Sequence, residues 1–220
     1  MPHAPARVIL VTGASRGIGA EVAQQLASPD THVIVNYRAR AERAEAIAEA
    51  VRTAGGHAST MAADISDEAA AAAMMASIAA RFGRLDALIL NASGGLELGA
   101  DPGYAMRVNR DAQRRLALLA TPLMPVDGRI VFVTSHQAHF FPHKAVPKGY
   151  SAIAASKRAG ETALYSMRSD FDRAGVRLTV VSGDMVDGSV TVAAKIVNAA
   201  TTPNPSGIVY VGGADYLMTA

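Results

Sequence analysis

The chain has 220 residues, 50% of them apolar, enough to bury a sizeable core and better suited to one domain over 1–220 than to two very small ones. The formal charge is only +2 and Lys and Arg are spread along the chain, so no nucleic-acid surface is expected and small-molecule chemistry is favoured. The absence of cysteine excludes disulfides, thiolate catalysis and cysteine-ligated zinc, and it suits a cytoplasmic setting.

The opening MPHAPARVILVTG passes straight into a strand-like run and a turn, without a long apolar region or small-residue cleavage site, so no signal peptide is expected. Strands follow as RVILVT, HVIVNY, HASTMAA, LDALILNA, GRIVFVTS, VRLTVVSG and GIVYVGG. Helices are expected between them near 17–27, 39–53, 67–81, 103–120, 151–173 and 189–200. Apolar runs that do not alternate imply burial on both faces, which gives an α/β fold: a doubly wound parallel sheet of about seven strands in a three-layer α/β/α sandwich. The most membrane-like run, AAAAAMMASIAA at 69–80, falls short of the ~20 residues a bilayer needs, so no membrane partner is expected. Ser66 is placed to cap the third helix ahead of Asp67 and Glu68, and Gly55 and Gly56 to close the second. Pro142 and Pro147, among several His and Lys residues, mark 136–148 as a loop.

The first strand leads into TGASRGIG, with Gly13, Gly17 and Gly19 spaced so that backbone can approach a pyrophosphate at the N-terminus of the next helix. A bare glycine pattern is also what an ordinary strand-to-helix turn shows, so the context has to decide. The second strand ends in Asn36-Tyr37-Arg38, where an acidic residue would select NAD. Arg38, together with Arg16 in the glycine loop, instead favours the 2′-phosphate of NADP(H), and charge-assisted bonds of about 1.5 to 3 kcal/mol each would set a preference above tenfold.

With these features the sequence resembles the short-chain dehydrogenase/reductase family, of the NADP(H)-using kind, over essentially its whole length. The resemblance implies a Rossmann-type domain in which Gly13, Ser15, Arg16, Gly17, Ile18 and Gly19 form the cofactor loop and Tyr37 and Arg38 meet the adenosine ribose. Asp64 matches the residue that contacts adenine, with Ile65 beside it. LILNASGG stands in place of the family's NNAG, keeping Asn91 and Ala92, with Ser93 where Gly is usual. Asn109 matches a water-holding asparagine, Ser135 the serine that bonds the substrate carbonyl, and Lys157 the lysine that bonds the nicotinamide ribose and lowers a tyrosine pKa.

The tyrosine is where the pattern departs. The family spacing is Y-x-x-x-K, and four residues before Lys157 stands Ile153, which has no proton to give. Tyr150 is the nearest phenol, but seven residues on a continuous helix are about 10.5 Å along the axis, and Tyr150 would point away from Lys157. If the helix begins near Ser151, with that serine as cap, Tyr150 lies in the preceding loop and can fold back. His136, His139 and His143 are alternative proton donors or simply polar loop residues, and no carboxylate joins them between 136 and 149 to make a metal site.

Three functions stay open on this reading. The first is an NADP(H)-dependent oxidoreductase acting on a carbonyl or alcohol of a small molecule; the second a cofactor-binding scaffold or regulatory protein without reductase chemistry; the third a non-redox enzyme on the same fold. The family's Pro-Gly after the sixth strand is replaced by VVSGDMVDGSV, with Ser182 at the proline position, and the substrate lid is either absent or missing from the sequence. The resemblance also implies a homodimer or homotetramer built on the helices at 103–120 and 151–173.

Overall fold

The computed structural model describes residues 6–95, 101, 103–184 and 189–218. Seven strands, β1 (Arg7–Val11), β2 (Thr31–Tyr37), β3 (His57–Ala62), β4 (Ala87–Leu90), β5 (Arg129–Ser135), β6 (Arg177–Gly183) and β7 (Ile208–Val211), form one sheet in the order β3-β2-β1-β4-β5-β6-β7. Every pairing is parallel. Adjacent residues of the central strands serve opposite faces. Leu10, Leu88, Ile130 and Val180 pack beneath α3 (Glu68–Phe82), α5 (Ala112–Ala120) and α8 (Arg168–Ala174). Ile9, Val11, Ile89, Val131 and Val181 pack beneath α1 (Gly17–Gln25), α2 (Ala41–Thr53) and α9 (Ser189–Thr201). This is the doubly wound Rossmann-type sandwich. Its strand order reverses between β1 and β4, where a ligand crevice opens beyond the strand C-termini.

Several local expectations are corrected. The cap of α3 is Asp67, whose Oδ1 accepts from Ala70 N at 2.9 Å; the Ser66 hydroxyl is already donated to Asp64 Oδ1 at 2.7 Å. The helix near 103–120 is composite: α4 (Tyr104–Met106), a π-helical turn over Arg107–Asp111, then α5. The segment 136–148 is not all loop, because Ser135 Oγ accepts from Ala138 N at 3.4 Å and starts the short helix α6 (His136–His139). The helix at 151–173 is two. α7 (Ser151–Tyr165) ends where the Ser166 hydroxyl turns back to Ala163 O at 2.7 Å, and α8 resumes after the buried Met167. Gly55 and Gly56 do close α2, through Gly55 N to Arg52 O at 2.9 Å and Gly56 N to Val51 O at 3.0 Å. The VVSGDMVDGSV segment lies outside the described residues at 185–188. Among the described residues no helix is long and apolar enough to cross a membrane.

Candidate active site and nucleotide cleft

The strand ends at the switch point are laced together by polar side chains. Thr12 Oγ1 donates to Ile89 O at 3.1 Å and accepts from Asn91 N and Ala92 N at 3.0 and 3.1 Å. Asn91 Nδ2 returns a bond to Thr12 O at 2.9 Å. Asn36, buried at the end of β2, accepts from Gly13 N at 3.2 Å and donates to Met61 O and Ala63 O at 3.2 Å each. These bonds hold the TGASRGIG turn against β2, β3 and β4, leaving its outer surface free.

That surface bounds a cleft of about 810 Å³. Of the residues singled out from the sequence, Gly13, Ser15, Arg16, Gly17, Arg38, Asp64, Ile65, Asn91, Ala92 and Ser93 all line it. Ile18 and Gly19 stand behind it in the first turn of α1, and Tyr37 packs against the core beside α1 and α2 instead of facing the cleft. Asn36, Arg40, Arg43, Tyr104 and Val108 line the cleft and were not anticipated. The signal for Asn36 was present, as a polar residue ending an apolar strand. Tyr104 reaches the rim from α4, where its hydroxyl accepts from the Arg38 guanidinium.

The turn fits a dinucleotide. Gly17 has φ +58° and a Cβ there would meet nothing within 4 Å, so the backbone is open to an approaching phosphate. Gly19 serves a different purpose: a Cβ there would lie 2.4 Å from Asn91 Nδ2 and 2.9 Å from Gly13 O, so a side chain would disturb the bonds that hold the turn.

The opposite end of the groove is built from β5, α6 and α7. Helix α7 begins at Ser151, but Ser151 is its first helical residue and not its cap; Tyr150 occupies the cap position with no side-chain capping bond. The Tyr150 backbone is helical (φ −91°, ψ −10°) and its carbonyl accepts from Ala154 N at 2.9 Å, so the residue sits at the edge of α7. Its ring is buried with Ala105, Ala138, Ile153 and Ala154, and its hydroxyl lies 3.3 Å from Ser135 Oγ. Ile153, at the seat of the expected acid, is 3% exposed, and a Cβ on Gly95 would sit 2.8 Å from its Cδ1.

Lys157 makes no hydrogen bond or ion pair among the described residues, with Tyr150 or any other group. Burial without a counter-charge lowers its pKa from 10.5 to about 8. Asn109, in the π-helical turn, gives its two amide protons to Gly94 O and Ser156 Oγ, both at 3.0 Å. Those protons are therefore engaged in joining the loop after β4 to α7.

The three histidines separate. His136 is fully buried between Ser182 Oγ (2.8 Å to Nδ1) and Gly212 O (3.1 Å to Nε2), which fixes the Nε2–H tautomer in the neutral ring and explains a hydroxyl at position 182. His139 lies 2.9 Å from the buried carboxylate of Glu161 and 3.0 Å from the Tyr210 hydroxyl. His143 is exposed. Both ring nitrogens of His136 and of His139 are thus committed to structural partners. Among the described residues no cluster of three metal-ligating side chains occurs.

A doubly wound sheet with a glycine turn and a polar cleft at its switch point defines a nucleotide-binding α/β protein, and comparison with known proteins makes the class specific. The family profile described as short chain dehydrogenase matches residues 7–198, and the chain belongs to the short-chain dehydrogenase/reductase family. Among curated relatives, 1-cyclohexenylcarbonyl-CoA reductase of Streptomyces collinus is 32% identical over 189 residues, 82% of this chain and 65% of that protein. Versicolorin reductase 1 of Aspergillus parasiticus is 35% identical over 170 residues, 74% of this chain and 63% of that protein. The chain thus spans less than two thirds of the length of these relatives. Among solved structures, a metagenomic short-chain oxidoreductase in complex with NADP superposes with a TM-score of 0.83 at 28% identity, covering 94% of this chain and 96% of that one. A short-chain dehydrogenase from Burkholderia cenocepacia, also in complex with NADP, gives 0.81 at 26% identity, covering 96% and 98%.

Proposed function

We propose that this protein is an NADP(H)-dependent oxidoreductase that interconverts a carbonyl and an alcohol on a small molecule, with Tyr150 as the proton donor. The observation that carries the reading is the 3.3 Å approach of the Tyr150 and Ser135 hydroxyls at the C-terminal end of β5. The cofactor, when bound, supplies or accepts a hydride at C4 of its nicotinamide. Ser135 donates to the substrate carbonyl oxygen and orients it. Tyr150 gives its phenolic proton to the same oxygen as the carbonyl carbon gains hydride, and the phenolate is reprotonated from solvent. Lys157 donates to the nicotinamide ribose. Arg16 and Arg38 meet the 2′-phosphate, Asp64 and Ile65 the adenine, and the 91–93 segment lines the cofactor. Asn109 acts as a positioning amide between the loop after β4 and α7.

NADP in the neighbouring structures and reductases among the relatives support this assignment. Relatives named for tetrahydroxynaphthalene and versicolorin make aromatic ketones the first substrates to try. The test is NADPH oxidation by the purified protein against a panel of ketones. Oxidation well above background supports the reading; tight NADPH binding with no turnover on any carbonyl defeats it.

The buried Ile153 and the lack of a Lys157 to Tyr150 contact favour one second reading, a cofactor-binding protein without reductase chemistry. The proposal extends to a single cytoplasmic domain over 1–220. It also extends to a homodimer formed on the outer face of α7, where Ala155, Ala159 and Ala163 line an apolar groove with Phe141 and Pro142.

A further inference from the structure

Four arginines, Arg16, Arg38, Arg40 and Arg43, line the nucleotide cleft. Elsewhere among the described residues, arginines commonly meet carboxylates: Arg52 contacts Glu45 and Glu49, Arg84 contacts Asp86, and Arg115 contacts Glu68. The guanidinium groups of Arg16, Arg40 and Arg43 have neither an ion-pair nor a hydrogen-bond partner among those residues, although the main-chain carbonyls of Arg16 and Arg40 accept from Ala20 N and Ala44 N. The carboxylate lining the same cleft, Asp64, uses Oδ1 to accept from Ser66 N at 2.9 Å and Ser66 Oγ at 2.7 Å. Arg38 is partly committed as well, through its bond to the Tyr104 hydroxyl and a guanidinium carbon 5.7 Å from that ring's centroid.

Arg40 and Arg43 are also on the wrong end of their helix for cations. Arg40 is the cap residue of α2 and Arg43 lies in its first turn, where the helix dipole disfavours positive charge. Glu42 in the same turn answers part of the dipole, but several exposed arginines gathered at the wall of one cleft still make a place that suits an anion. A phosphate monoester is the anion that suits several guanidinium groups, with two charges and three acceptor oxygens.

Resting on the NADP(H) reading above, we propose that Arg43, seconded by Arg40, is a specificity-determining residue for the 2′-phosphate, so that the preference for NADPH over NADH is shared between the α2 pair and the Arg16–Arg38 pair. Loss of Arg38 alone then leaves a residual NADPH preference, because part of its bonding already goes to Tyr104.

The test is equilibrium binding of NADPH, NADH and adenosine 2′,5′-bisphosphate to the wild type and to Arg43→Gln, Arg40→Gln, Arg38→Gln and Arg43→Lys, with melting curves to confirm folding. Arg43→Gln is expected to raise the dissociation constants of NADPH and the bisphosphate about tenfold, as loss of one charge-assisted bond implies, while NADH is unchanged. Arg43→Lys keeps the charge and should restore part of the loss. Equal effects of Arg43→Gln on NADPH and NADH, or no effect on either in a wild type that prefers NADPH, would overturn the inference while leaving the cofactor assignment intact. A wild type that does not prefer NADPH overturns the cofactor assignment itself.

Discussion

The two ends of the groove are assembled by different means. At the nucleotide end, the surface is set by backbone: the Gly13–Gly19 turn is fastened to neighbouring strand ends by Thr12, Asn36 and Asn91, side chains that sit on or beside the strands themselves. At the other end the decisive contact joins two hydroxyls fifteen residues apart, Ser135 and Tyr150, across a short helix and a proline-containing loop. The first construction tolerates little local change. The second could relocate a functional phenol by three positions, because the loop and the start of α7 decide where Tyr150 points.

The largest expected effect separates the ends most sharply. In Tyr150→Phe, turnover of a ketone substrate should fall by ~10² to 10⁴, the usual worth of a general acid, while NADPH affinity stays within a factor of two or so. Equal turnover in wild type and variant would remove Tyr150 from the mechanism. A matched loss of cofactor affinity would show instead that the two ends are not separable.

Glycines give the next comparison, this time in stability. A Cβ on Gly160 of α7 would lie 2.0 Å from the main-chain oxygen of Asn109, so the helix docks backbone to backbone on the π-helical turn. Neither element can yield without moving the other, and Gly160→Ala is expected to destabilise the fold by about 3 kcal/mol, read from urea or thermal unfolding. At the nucleotide end, a methyl on Gly19 meets Asn91 Nδ2 at 2.4 Å and Gly13 O at 2.9 Å. The amide can swing, at the expense of its bond to Thr12 O, and alanine is the better helix former by ~1 kcal/mol. Gly19→Ala should therefore cost less stability than Gly160→Ala but weaken NADPH about tenfold, a difference visible by titration of cofactor fluorescence. Should Gly19→Ala bind NADPH as the wild type does, the turn is less rigid than its bonds suggest.

This contrast also explains what the sequence made legible. Strand positions and the sheet's two buried faces followed from unbroken apolar runs such as RVILV and IVFV, because burial acts on each residue directly. Among the cleft residues, Gly17 followed from the glycine turn after the first strand, and Asp64 and Asn91 from the family resemblance. Arg40, Arg43 and Tyr104 were missed because each reaches the cleft from a helix end whose direction depends on tertiary packing. Tyr150 was legible only as a condition: its use required α7 to start at Ser151, and a sequence cannot fix one residue of a helix boundary when Gly149, Tyr150 and Ser151 offer no decisive cap. The role of the buried His136 was beyond reach for a related reason, since it finds its acceptor at Gly212, 76 residues away.

In the proposed mechanism Lys157 serves both ends, and its titration tests that assignment. Burial without a partner brings its pKa down to about 8, so the free protein loses the ammonium charge as the pH rises through that value. An ammonium that donates to ribose hydroxyls is stabilised in its charged form, so cofactor binding raises the pKa and takes up a proton above pH 8 or so. By linkage, affinity must then fall as the pH rises from about 8 toward the higher pKa of the complex, and it is flat below, where Lys157 is charged in both states. The dissociation constant of NADPH should therefore climb several-fold between pH 8 and 9 in the wild type, with at most tenfold per pH unit from one proton. In Lys157→Met the constant is raised at neutral pH and the climb is lost. The folded protein without cofactor shows the opposite trend: its unfolded state binds more protons between about 8 and 10.5, so stability gains with pH across that window in the wild type and not in the variant. Parallel affinity profiles for wild type and variant would mean that Lys157 does not donate to the cofactor at all, and the catalytic end would then have departed from the family pattern at both its lysine and its tyrosine.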